Sequence, residues 1–366
     1  MIINSVTVYR FSIPMVPFSI ATGTMHFAQN VLIHVHTNDG IIGVGECSAF
    51  PMIVGETQDT CFVLARDFAN IWKGKDASKI KERLFELDEY ITHNQTIKSA
   101  FDMALYDIAA KARDLPLYKY LGGHYFEPES DLTIGIGSAQ AMADTAKDFV
   151  QNRRVNMIKI KVGKSVKDDI ESVTAIRLAV GPDIKLRIDA NCGWDFEQAL
   201  EALTSMDQLD IQFCEQPMPK YRDHKMTSLK RICSIPIMAD ESVFSHHDAK
   251  RLIYNKSCDY INIKLCKAGG ITEALRIHDV CEKHNIPNML GGMLESRVAL
   301  SANVHLALAC PNIQLYDLDT CLLGHKIDPV IGGVTYDGMK LKIPDLPGIG
   351  ADADPEFLKG CEQFTV

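Results

Sequence analysis

Eight short apolar runs recur between residues 130 and 315, and they limit the folds open to this chain more than any other feature. An amphipathic stretch with helical periodicity lies between each run and the next. Strands that alternate with helices predict a parallel sheet, and eight such units predict a TIM-type (β/α)8 barrel. The runs are Leu132–Ile136, Met157–Val162, Ile184–Ile188, Ile211–Cys214, Ile235–Ala239, Tyr260–Ile263, Ile286–Leu290 and Ile313–Leu315.

The residues before the barrel differ in their pattern of apolar and polar residues, and this pattern predicts an α+β unit over residues 1–125. Two alternating runs, Val31–Thr37 and Ile41–Glu46, flank the turn Asn38–Gly40. This pattern predicts a β-hairpin. Farther along, Ser99–Lys111 has the strong periodicity of a helix.

Two stretches near this hairpin, Pro17–Phe27 and Phe50–Glu56, mix glycine with polar residues. We expect irregular loops there, of the kind that cover a site. The barrel is expected to occupy residues 126–320. After it, Gly332–Ile343 predicts another hairpin, and we expect the tail, residues 321–366, to return to the N-terminal unit.

Composition excludes several classes of protein. The chain has 366 residues, a net charge of −9 and no dense Lys/Arg run, which argues against nucleic-acid binding. No apolar stretch is long enough to span a bilayer, and the N-terminus lacks the pattern of a signal peptide. Eleven scattered cysteines without a CxxC pair indicate reduced thiols. We therefore expect a cytoplasmic protein.

Acidic residues end three consecutive strands of the predicted barrel. Asp189, Glu215 and Asp240 follow strands three, four and five, each one βα unit after the last. The carboxyl ends of barrel strands face the active site, so we expect these carboxylates to lie together. Each alone could be a turn residue or a helix cap. Because three like charges at one end of a barrel repel each other, their regular spacing predicts an all-oxygen Mg²⁺ site.

Lysines flank that predicted metal site on two sides. Lys159 and Lys161 end strand two and point to one face, and Lys264 follows strand six. Taken alone, the pair on strand two is typical of a lysine-guarded strand edge. Beside the carboxylates, the three lysines instead predict a site that removes a proton from one face of a substrate and returns one to the other.

The ordered motifs resemble the enolase superfamily and, within it, the muconate-lactonizing subgroup, which has lysines on strands two and six. The resemblance covers the whole chain and implies that the N-terminal unit and the tail form a capping domain over the barrel. Gly291–Ser296 contains no histidine, unlike the mandelate-racemase-like branch. The motifs are KxK at Lys159–Lys161, DAN at Asp189–Asn191, EQP at Glu215–Pro217, ADES at Ala239–Ser242 and NIKLxKxGG at Asn262–Gly270.

This resemblance implies an isomerase that transfers a proton at the carbon next to a carboxylate. It implies one Mg²⁺ per subunit, which Mn²⁺ could replace, held by the three acids. Lys161 and Lys264 would act as the two bases, and Lys159 would stabilise the developing charge. Neighbouring cations are expected to lower the pKa of the working base. Asn191 is expected to contact the metal ligands, whereas a structural role for Glu241 is equally open.

Strand eight ends in Tyr316–Thr320, where Asp317 and Asp319 share one face. The two residues could be only a solvated strand end. In this subgroup, however, a DxD sequence here resembles the mark of dipeptide epimerases, in which the pair binds the α-ammonium group of the substrate. Paired carboxylates suit an ammonium ion. The resemblance also places Thr133, Gly292, Met293 and Leu294 at the substrate, although barrel packing explains these four residues equally well.

The expected substrate is a small or hydrophobic dipeptide of the Ala-Ala or Ala-hydrophobic type. Epimerases for Ala-Glu resemble this chain but carry an arginine in the first capping loop, where this chain has Gly23. The acidic side chain of an Ala-Glu substrate would therefore lack a basic partner in this loop. The residues that could supply apolar walls are Phe18, Ile20, Met25, Phe27 and Ile53.

Other functions stay open at this point. The same subgroup contains N-acylamino-acid racemases, muconate cycloisomerases and o-succinylbenzoate synthases, whose substrates carry no α-ammonium group. A catalytically silent barrel that binds a peptide is a further alternative. Homo-oligomers are common among barrel enzymes, so self-association is also open, although no interface is evident from the sequence.

Overall fold

A computed structural model describes residues 1–366. The chain begins with an antiparallel sheet and a set of helices, of which α4 packs closely on β3. The elements are β1 (Ile3–Ile20), β2 (Gly23–Thr37), β3 (Ile42–Ser48), α1 (Pro51–Val54), α2 (Gln58–Trp72), α3 (Ile80–Tyr90), α4 (Gln95–Lys111) and α5 (Leu117–Tyr120).

The predicted hairpin around Asn38–Gly40 is confirmed, because β2 and β3 pair up to His36 opposite Ile42. The prediction of an irregular loop at Pro17–Phe27 is wrong. Strands β1 and β2 continue through that stretch and pair as far as Ile20 opposite Gly23. The glycine that suggested a loop instead follows a tight two-residue turn.

The second stretch that we expected to be irregular, Phe50–Glu56, contains the short helix α1. Pro51 occupies its first position, where the fixed φ of proline favours a helix. Gly55 closes the helix with φ of 80°. This helix lies beside the tip of the first hairpin, since an added Cβ at Gly23 would come within 2.7 Å of the Met52 sulfur.

The barrel follows, and its strands run parallel in sequence order from β4 to β11. All eight predicted apolar runs overlap an observed strand, which confirms the barrel. The elements are β4 (Leu132–Ile134), α6 (Ala139–Arg153), β5 (Met157–Lys161), α7 (Val166–Val180), β6 (Lys185–Asp189), α8 (Phe196–Ser205), β7 (Ile211–Glu215), α9 (Met226–Ile232), β8 (Ile237–Ala239), α10 (His246–Tyr254), β9 (Tyr260–Ile263), α11 (Leu265–Ala268), α12 (Ile271–Lys283), β10 (Asn288–Gly291), α13 (Arg297–Ala309) and β11 (Ile313–Asp317).

Sequence signals start several barrel helices. Ser138, Ser165, Asp195 and Ser245 each accept a hydrogen bond from the third helical N–H that follows. Such N-caps satisfy donors that a helix start leaves free. The interiors of the barrel strands are apolar and fully buried, as at Ile158. Each strand is held by this packing and by the helix that follows it, so the residue at its end has a fixed position. No helix of the structure has the length and apolar character needed to cross a membrane.

The first and last barrel strands, β4 and β11, are not joined by a ladder of hydrogen bonds. We call this boundary the seam. Isolated contacts bridge it: Asp131 N–H donates to Tyr316 O at 3.3 Å, and Leu318 N–H donates to Ser130 Oγ at 2.8 Å. The barrel is therefore nearly closed, with isolated hydrogen bonds in place of a strand ladder at one position.

The tail contacts both parts of the molecule. Strand β16 pairs with β1, as expected for a return to the N-terminal unit. The predicted hairpin at Gly332–Ile343 is confirmed as β13–β14, but it lies at the seam, where Met339 O accepts Ser130 N–H at 3.0 Å. The tail elements are β12 (Val330–Gly332), β13 (Thr335–Asp337), β14 (Lys340–Lys342), β15 (Ala351–Ala353), α14 (Pro355–Lys359) and β16 (Glu362–Thr365).

Two buried carboxylates of the N-terminal unit cap helices of the barrel. Glu46 on β3 accepts the backbone N–H groups of Ser296 and Ala299 at 2.8 and 2.9 Å, at the start of α13. Asp102 on α4 accepts the N–H groups of Ile271 and Thr272 at the start of α12. A negative charge is favourable at a helix N-terminus. These contacts fix the N-terminal unit over the end of the barrel that carries the candidate site.

Candidate active site

The three acids predicted from the strand ends lie on neighbouring strands at one end of the barrel. Asp189 and Glu215 are the last residues of β6 and β7 and are partners in the sheet register, and Asp240 follows β8 directly. All three side chains are fully buried. Burial of ionised carboxylates is costly without a cation or hydrogen bonds, so the arrangement requires positive charge nearby.

That charge comes from the predicted lysines. Lys159 Nζ lies 2.7 Å from Glu215 Oε2 and 3.1 Å from Asp189 Oδ2. Lys161 Nζ donates to Asp189 Oδ2 at 2.6 Å, and Lys264 Nζ lies 2.9 Å from Asp240 Oδ2. These two lysines approach from β5 and from the end of β9, on opposite sides of the acids. The sequence therefore placed the acids and the lysines together correctly.

The carboxylates fit a hard divalent cation. Glu215 Oε2 and both oxygens of Asp240 are buried. Ammonium groups lie near these oxygens, but none of the three oxygens accepts a well-directed hydrogen bond. Two of the three carboxylates thus have oxygens without a hydrogen bond, and an all-oxygen set of carboxylates suits Mg²⁺. Asp189, Glu215 and Asp240 would hold the ion, and its charge would make a proton next to a bound carboxylate group more acidic.

The ionisation of the site reflects these charges. Burial would lower the pKa of Lys159, but Asp317, Glu215 and Asp189 outweigh it and raise that pKa well above its ordinary value. Asp240 and Glu215 likewise outweigh burial and raise the pKa of Lys264, which is opposite to the lowered pKa expected for a working base. Burial, and then the charge of Asp189, raises the pKa of Glu215 to about 7.

A second group of acids lies at the seam and was not fully foreseen. Asp131, Asp317 and Asp319 bring carboxylate oxygens within 4.8 Å of one another, and all three are buried. Asp317 Oδ2 accepts from Lys159 Nζ at 2.7 Å, and Asp319 Oδ2 accepts from Thr133 N–H at 2.7 Å. Nothing in the spacing of the sequence singled out Asp131, which precedes β4.

Charge crowding shifts the pKa values of this group in different directions. Burial raises the pKa of Asp317, but Lys159 and Lys161 outweigh it and lower that pKa to about 2. Burial, and then the charge of Asp317, raises the pKa of Asp319 to about 7. The Asp131 carboxylate forms an ion pair with Arg187, whose Nη1 lies 2.7 Å from Asp131 Oδ2. An incoming ammonium ion would relieve the crowding at Asp317 and Asp319.

One cavity of about 40 Å³ is lined by Asp317 and Asp319 of the second acid group and by Lys161 and Lys264, which contact the first. Its small volume means that a bound molecule has to displace lining side chains or carry small groups. Lys159 is not part of the lining and is only 1% exposed. Its charge therefore affects the cavity through the residues that it contacts. The predicted substrate residues that line the cavity are Thr133, Lys161, Lys264, Gly292, Met293, Leu294, Asp317 and Asp319, together with Asn191.

The walls of this cavity are mostly apolar where it meets the N-terminal unit. Phe18, Ile20 and Ile53 line it, as expected, together with Phe50. Met25 and Phe27 were expected in the wall but do not line this cavity, because Met25 is buried elsewhere on β2 and Phe27 is half exposed. The error follows from treating this strand stretch as a loop.

Neighbouring residues hold the acids in place. Asn191 N–H donates to Asp189 Oδ1 at 2.9 Å, and its side chain donates to Glu241 Oε1 at 3.0 Å. Lys267 Nζ lies 2.9 Å from Asp240 Oδ1, and Asn262 Nδ2 donates to Glu215 Oε1 at 2.7 Å. Sequence reasoning passed over Lys267 and Asn262, although both belong to the motif at Asn262–Gly270.

Two family models match the chain. The "Mandelate racemase / muconate lactonizing enzyme, N-terminal domain" model matches residues 3–122, and the "Enolase C-terminal domain-like" model matches residues 141–357. Together they account for the antiparallel unit and nearly the whole barrel.

Relatives with assigned reactions match along the full length. A D-Ala-D/L-Ala epimerase of Cytophaga hutchinsonii is 40% identical over 100% of both chains. A crystal structure of a dipeptide epimerase from Cytophaga hutchinsonii, in complex with Mg and D-Ala-L-Val, superposes with a TM-score of 0.98, also at 40% identity over 100% of both chains. A dipeptide epimerase of Enterococcus faecalis, with Mg and L-Leu-L-Tyr, gives a TM-score of 0.93 at 35% identity over 96% of this chain and 100% of the other.

Proposed function

Since the chain belongs to the mandelate racemase/muconate lactonizing enzyme family of the enolase superfamily, we propose that it epimerises dipeptides at the α-carbon of the C-terminal residue. The observation that carries the proposal is the single cavity lined by Lys161 and Lys264 and by the carboxylates of Asp317 and Asp319. Two bases and an ammonium receptor in one cavity suit a substrate with a free amino group and an acidic α-proton.

The residues of the chain divide the work. Asp317 and Asp319 bind the α-ammonium group of the dipeptide and so orient it. Lys161 removes the α-proton from one face, and Lys264 returns a proton to the other. Lys159, engaged by three carboxylates and outside the cavity lining, stabilises negative charge that develops on the substrate carboxylate. Mg²⁺, held by Asp189, Glu215 and Asp240, supplies further positive charge when bound.

The preferred substrates in this proposal are small or hydrophobic dipeptides such as Ala-Ala. The apolar wall of Phe18, Phe50 and Ile53 offers no partner for a charged side chain. A Cβ at Gly23 would come within 2.7 Å of the Met52 sulfur, so an arginine there would require the Met52 side chain to move. The 40% identical relative is a D-Ala-D/L-Ala epimerase, which supports the same class of substrate.

The setting of the enzyme is also part of the proposal. All eleven cysteines are free thiols, which supports a cytoplasmic location, where thiols stay reduced. The proposal includes neither nucleic acid nor membrane as a partner. Light scattering of the purified protein would measure whether it forms a homo-oligomer.

A comparison of dipeptides tests the proposal. With Mg²⁺ present, we expect epimerisation of Ala-Ala with a kcat/KM at least about tenfold above that of Ala-Glu, because a buried carboxylate without a partner is disfavoured. The double variant Gly23→Arg/Met52→Ala should narrow that ratio, and Met52→Ala alone is the matched control. A strong preference of the unaltered enzyme for Ala-Glu would refute the substrate class, and no epimerisation of any dipeptide would refute the function.

A further inference from the structure

Leu318 lies in the chain between the two aspartates of the ammonium receptor and is joined to each of them by one peptide group. Its N–H donates to Ser130 Oγ at 2.8 Å, and its carbonyl oxygen accepts from Tyr336 OH at 2.6 Å. Leu318 itself is fully buried. Two hydroxyl groups from different parts of the chain thus hold the two successive peptide groups on either side of the Leu318 Cα.

Both hydroxyl groups depend on the tail hairpin β13–β14. Tyr336 is the central residue of β13. The same hairpin also fixes the segment that carries Ser130, because Met339 O accepts Ser130 N–H at 3.0 Å and Leu341 N–H donates to Pro128 O at 2.8 Å. The hairpin therefore connects the first and the last barrel strand at the seam, where no strand ladder does so.

Tyr336 acts from outside the cavity. It does not line the cavity that holds Asp317 and Asp319, and its hydroxyl group has one other partner, Cys321 Sγ at 3.3 Å. Burial raises the pKa of its phenol well above the ordinary value, so the hydroxyl keeps its proton as a donor. Because Tyr336 lies outside this cavity, its contact with the receptor runs through the backbone carbonyl of Leu318.

The spacing of the two carboxylates depends on these two peptide groups. Asp317 O accepts Gly292 N–H at 3.0 Å and Asp319 Oδ2 accepts Thr133 N–H at 2.7 Å, so each aspartate is anchored to a different neighbouring strand. Rotation of either peptide group beside Leu318 would turn the two aspartate side chains relative to each other. An ammonium ion bound by two carboxylates is sensitive to such a change, because charge-assisted hydrogen bonds are short and directional.

We propose that Tyr336 is a positioning residue of the ammonium subsite: from the tail hairpin it holds the Leu318 carbonyl group and, together with Ser130 at the Leu318 N–H, sets the geometry of Asp317 and Asp319 across the seam. The inference rests on the proposed function, because it concerns how the receptor for the substrate ammonium group is kept in shape. It assigns the C-terminal tail a role in substrate recognition.

The test compares Tyr336→Phe with Tyr316→Phe. The control removes a similar hydrogen bond from a tyrosine hydroxyl to a backbone carbonyl. Tyr316 OH donates to Ile313 O at 2.9 Å inside β11, and this bond does not involve Leu318. For Tyr336→Phe we expect the KM of Ala-Ala to rise about tenfold, the effect of leaving one buried carbonyl without its donor, with kcat within about twofold. Tyr316→Phe should leave KM within about twofold. A variant Ser130→Ala should raise KM in the same way as Tyr336→Phe.

A ligand without the ammonium group separates recognition from general damage. Lactoyl-alanine carries a hydroxyl group in its place, and its inhibition constant should be unchanged in Tyr336→Phe and in Ser130→Ala. An unchanged KM for Ala-Ala in both variants, or equal weakening of Ala-Ala and lactoyl-alanine, would overturn the inference. If Tyr336→Phe does not fold, Ser130→Ala alone decides by the same two readouts. If the unaltered enzyme binds lactoyl-alanine as tightly as Ala-Ala, the proposed function itself fails.

Discussion

Lys159 joins the two acid groups of the site, with its Nζ 2.7 Å from Glu215 Oε2 on one side and 2.7 Å from Asp317 Oδ2 on the other. One ammonium group thus borders both the acids proposed to hold Mg²⁺ and the pair proposed to hold the ammonium group of the substrate. Because Lys159 is 1% exposed and outside the cavity, its contribution is fixed charge. The two halves of the site are therefore electrostatically linked.

Asp317→Asn should weaken the recognition of free dipeptides. The change keeps the shape of the side chain but removes the charge that an ammonium group would meet, so kcat/KM for Ala-Ala should fall by about 30- to 100-fold. Inhibition by lactoyl-alanine should change by less than about threefold. Steady-state kinetics with both compounds measures the difference. Equal losses for the two compounds would mean that Asp317 does not recognise the ammonium group.

Removal of the metal should stop epimerisation reversibly. A chelator should abolish turnover of Ala-Ala, and added Mg²⁺ or Mn²⁺ should restore it. In calorimetric titrations, Glu215→Gln should bind Mg²⁺ at least about tenfold more weakly, because a neutral amide replaces a carboxylate in a buried site. Glu273→Gln, at a half-buried position of α12 outside the cavity, is the matched control. Unaltered Mg²⁺ affinity in Glu215→Gln would argue that other residues hold the ion.

Glu46→Gln should destabilise the junction between the N-terminal unit and the barrel. The Glu46 carboxylate accepts hydrogen bonds from Asn30, from the backbone and side chain of Ser296, and from Ala299. The NH₂ group of a glutamine would point at some of these donors and could not accept from them. The free energy of unfolding should fall by about 2–4 kcal/mol. Urea unfolding measures it, with the exposed Glu89→Gln as control. A loss below about 1 kcal/mol would mean that the helix cap contributes little.

Acid should destabilise the fold through His305. Its Nδ1 accepts from Tyr118 N–H and its Nε2 donates to Ile349 O, so the neutral ring joins α13, α5 and the tail. Burial lowers the pKa of His305 from 6.5 to about 4. The unfolded chain binds this proton at a higher pH, so stability falls as the pH drops from about 6.5 to about 4, by roughly 3 kcal/mol.

Denaturant unfolding at several pH values measures this loss. In His305→Gln, the dependence on pH between 6.5 and 4 should be weaker than in the unaltered protein, because the titrating ring is gone. The exposed His124→Gln should keep the full dependence. Identical pH profiles in all three proteins would show that His305 does not carry the effect.

The sequence was sufficient to predict the barrel and most of the site, because both depend on residues that recur at one βα unit. Asp189, Glu215, Asp240 and Lys264 each follow a strand, and a strand end fixes where its side chain points. Contacts between distant segments were not predictable in this way. Asp131 meets Asp317 only because the first and last strands meet, and Tyr336 reaches Leu318 only because the tail hairpin folds over the seam.

The errors have local causes. Pro17–Phe27 was taken for a loop because glycine weakens a strand signal, but pairing along the long hairpin of β1 and β2 overrides that preference. Neighbouring cations predict a lowered pKa for the working base, but that prediction leaves out the charge of the carboxylates beside the lysines. At Lys264, Asp240 and Glu215 outweigh burial and raise the pKa instead.

Deuterium exchange in D₂O tests the two-base site most directly. With Mg²⁺, the unaltered enzyme should place one deuterium at the α-carbon of the C-terminal residue from either epimer of the dipeptide. Lys161→Ala and Lys264→Ala should each lose epimerisation by about 10²- to 10⁴-fold, yet each should still exchange the α-proton of one epimer, and not the same one. The exposed Lys164→Ala should behave like the unaltered enzyme. Exchange of both epimers in both variants, or of neither epimer in the unaltered enzyme, would contradict the account.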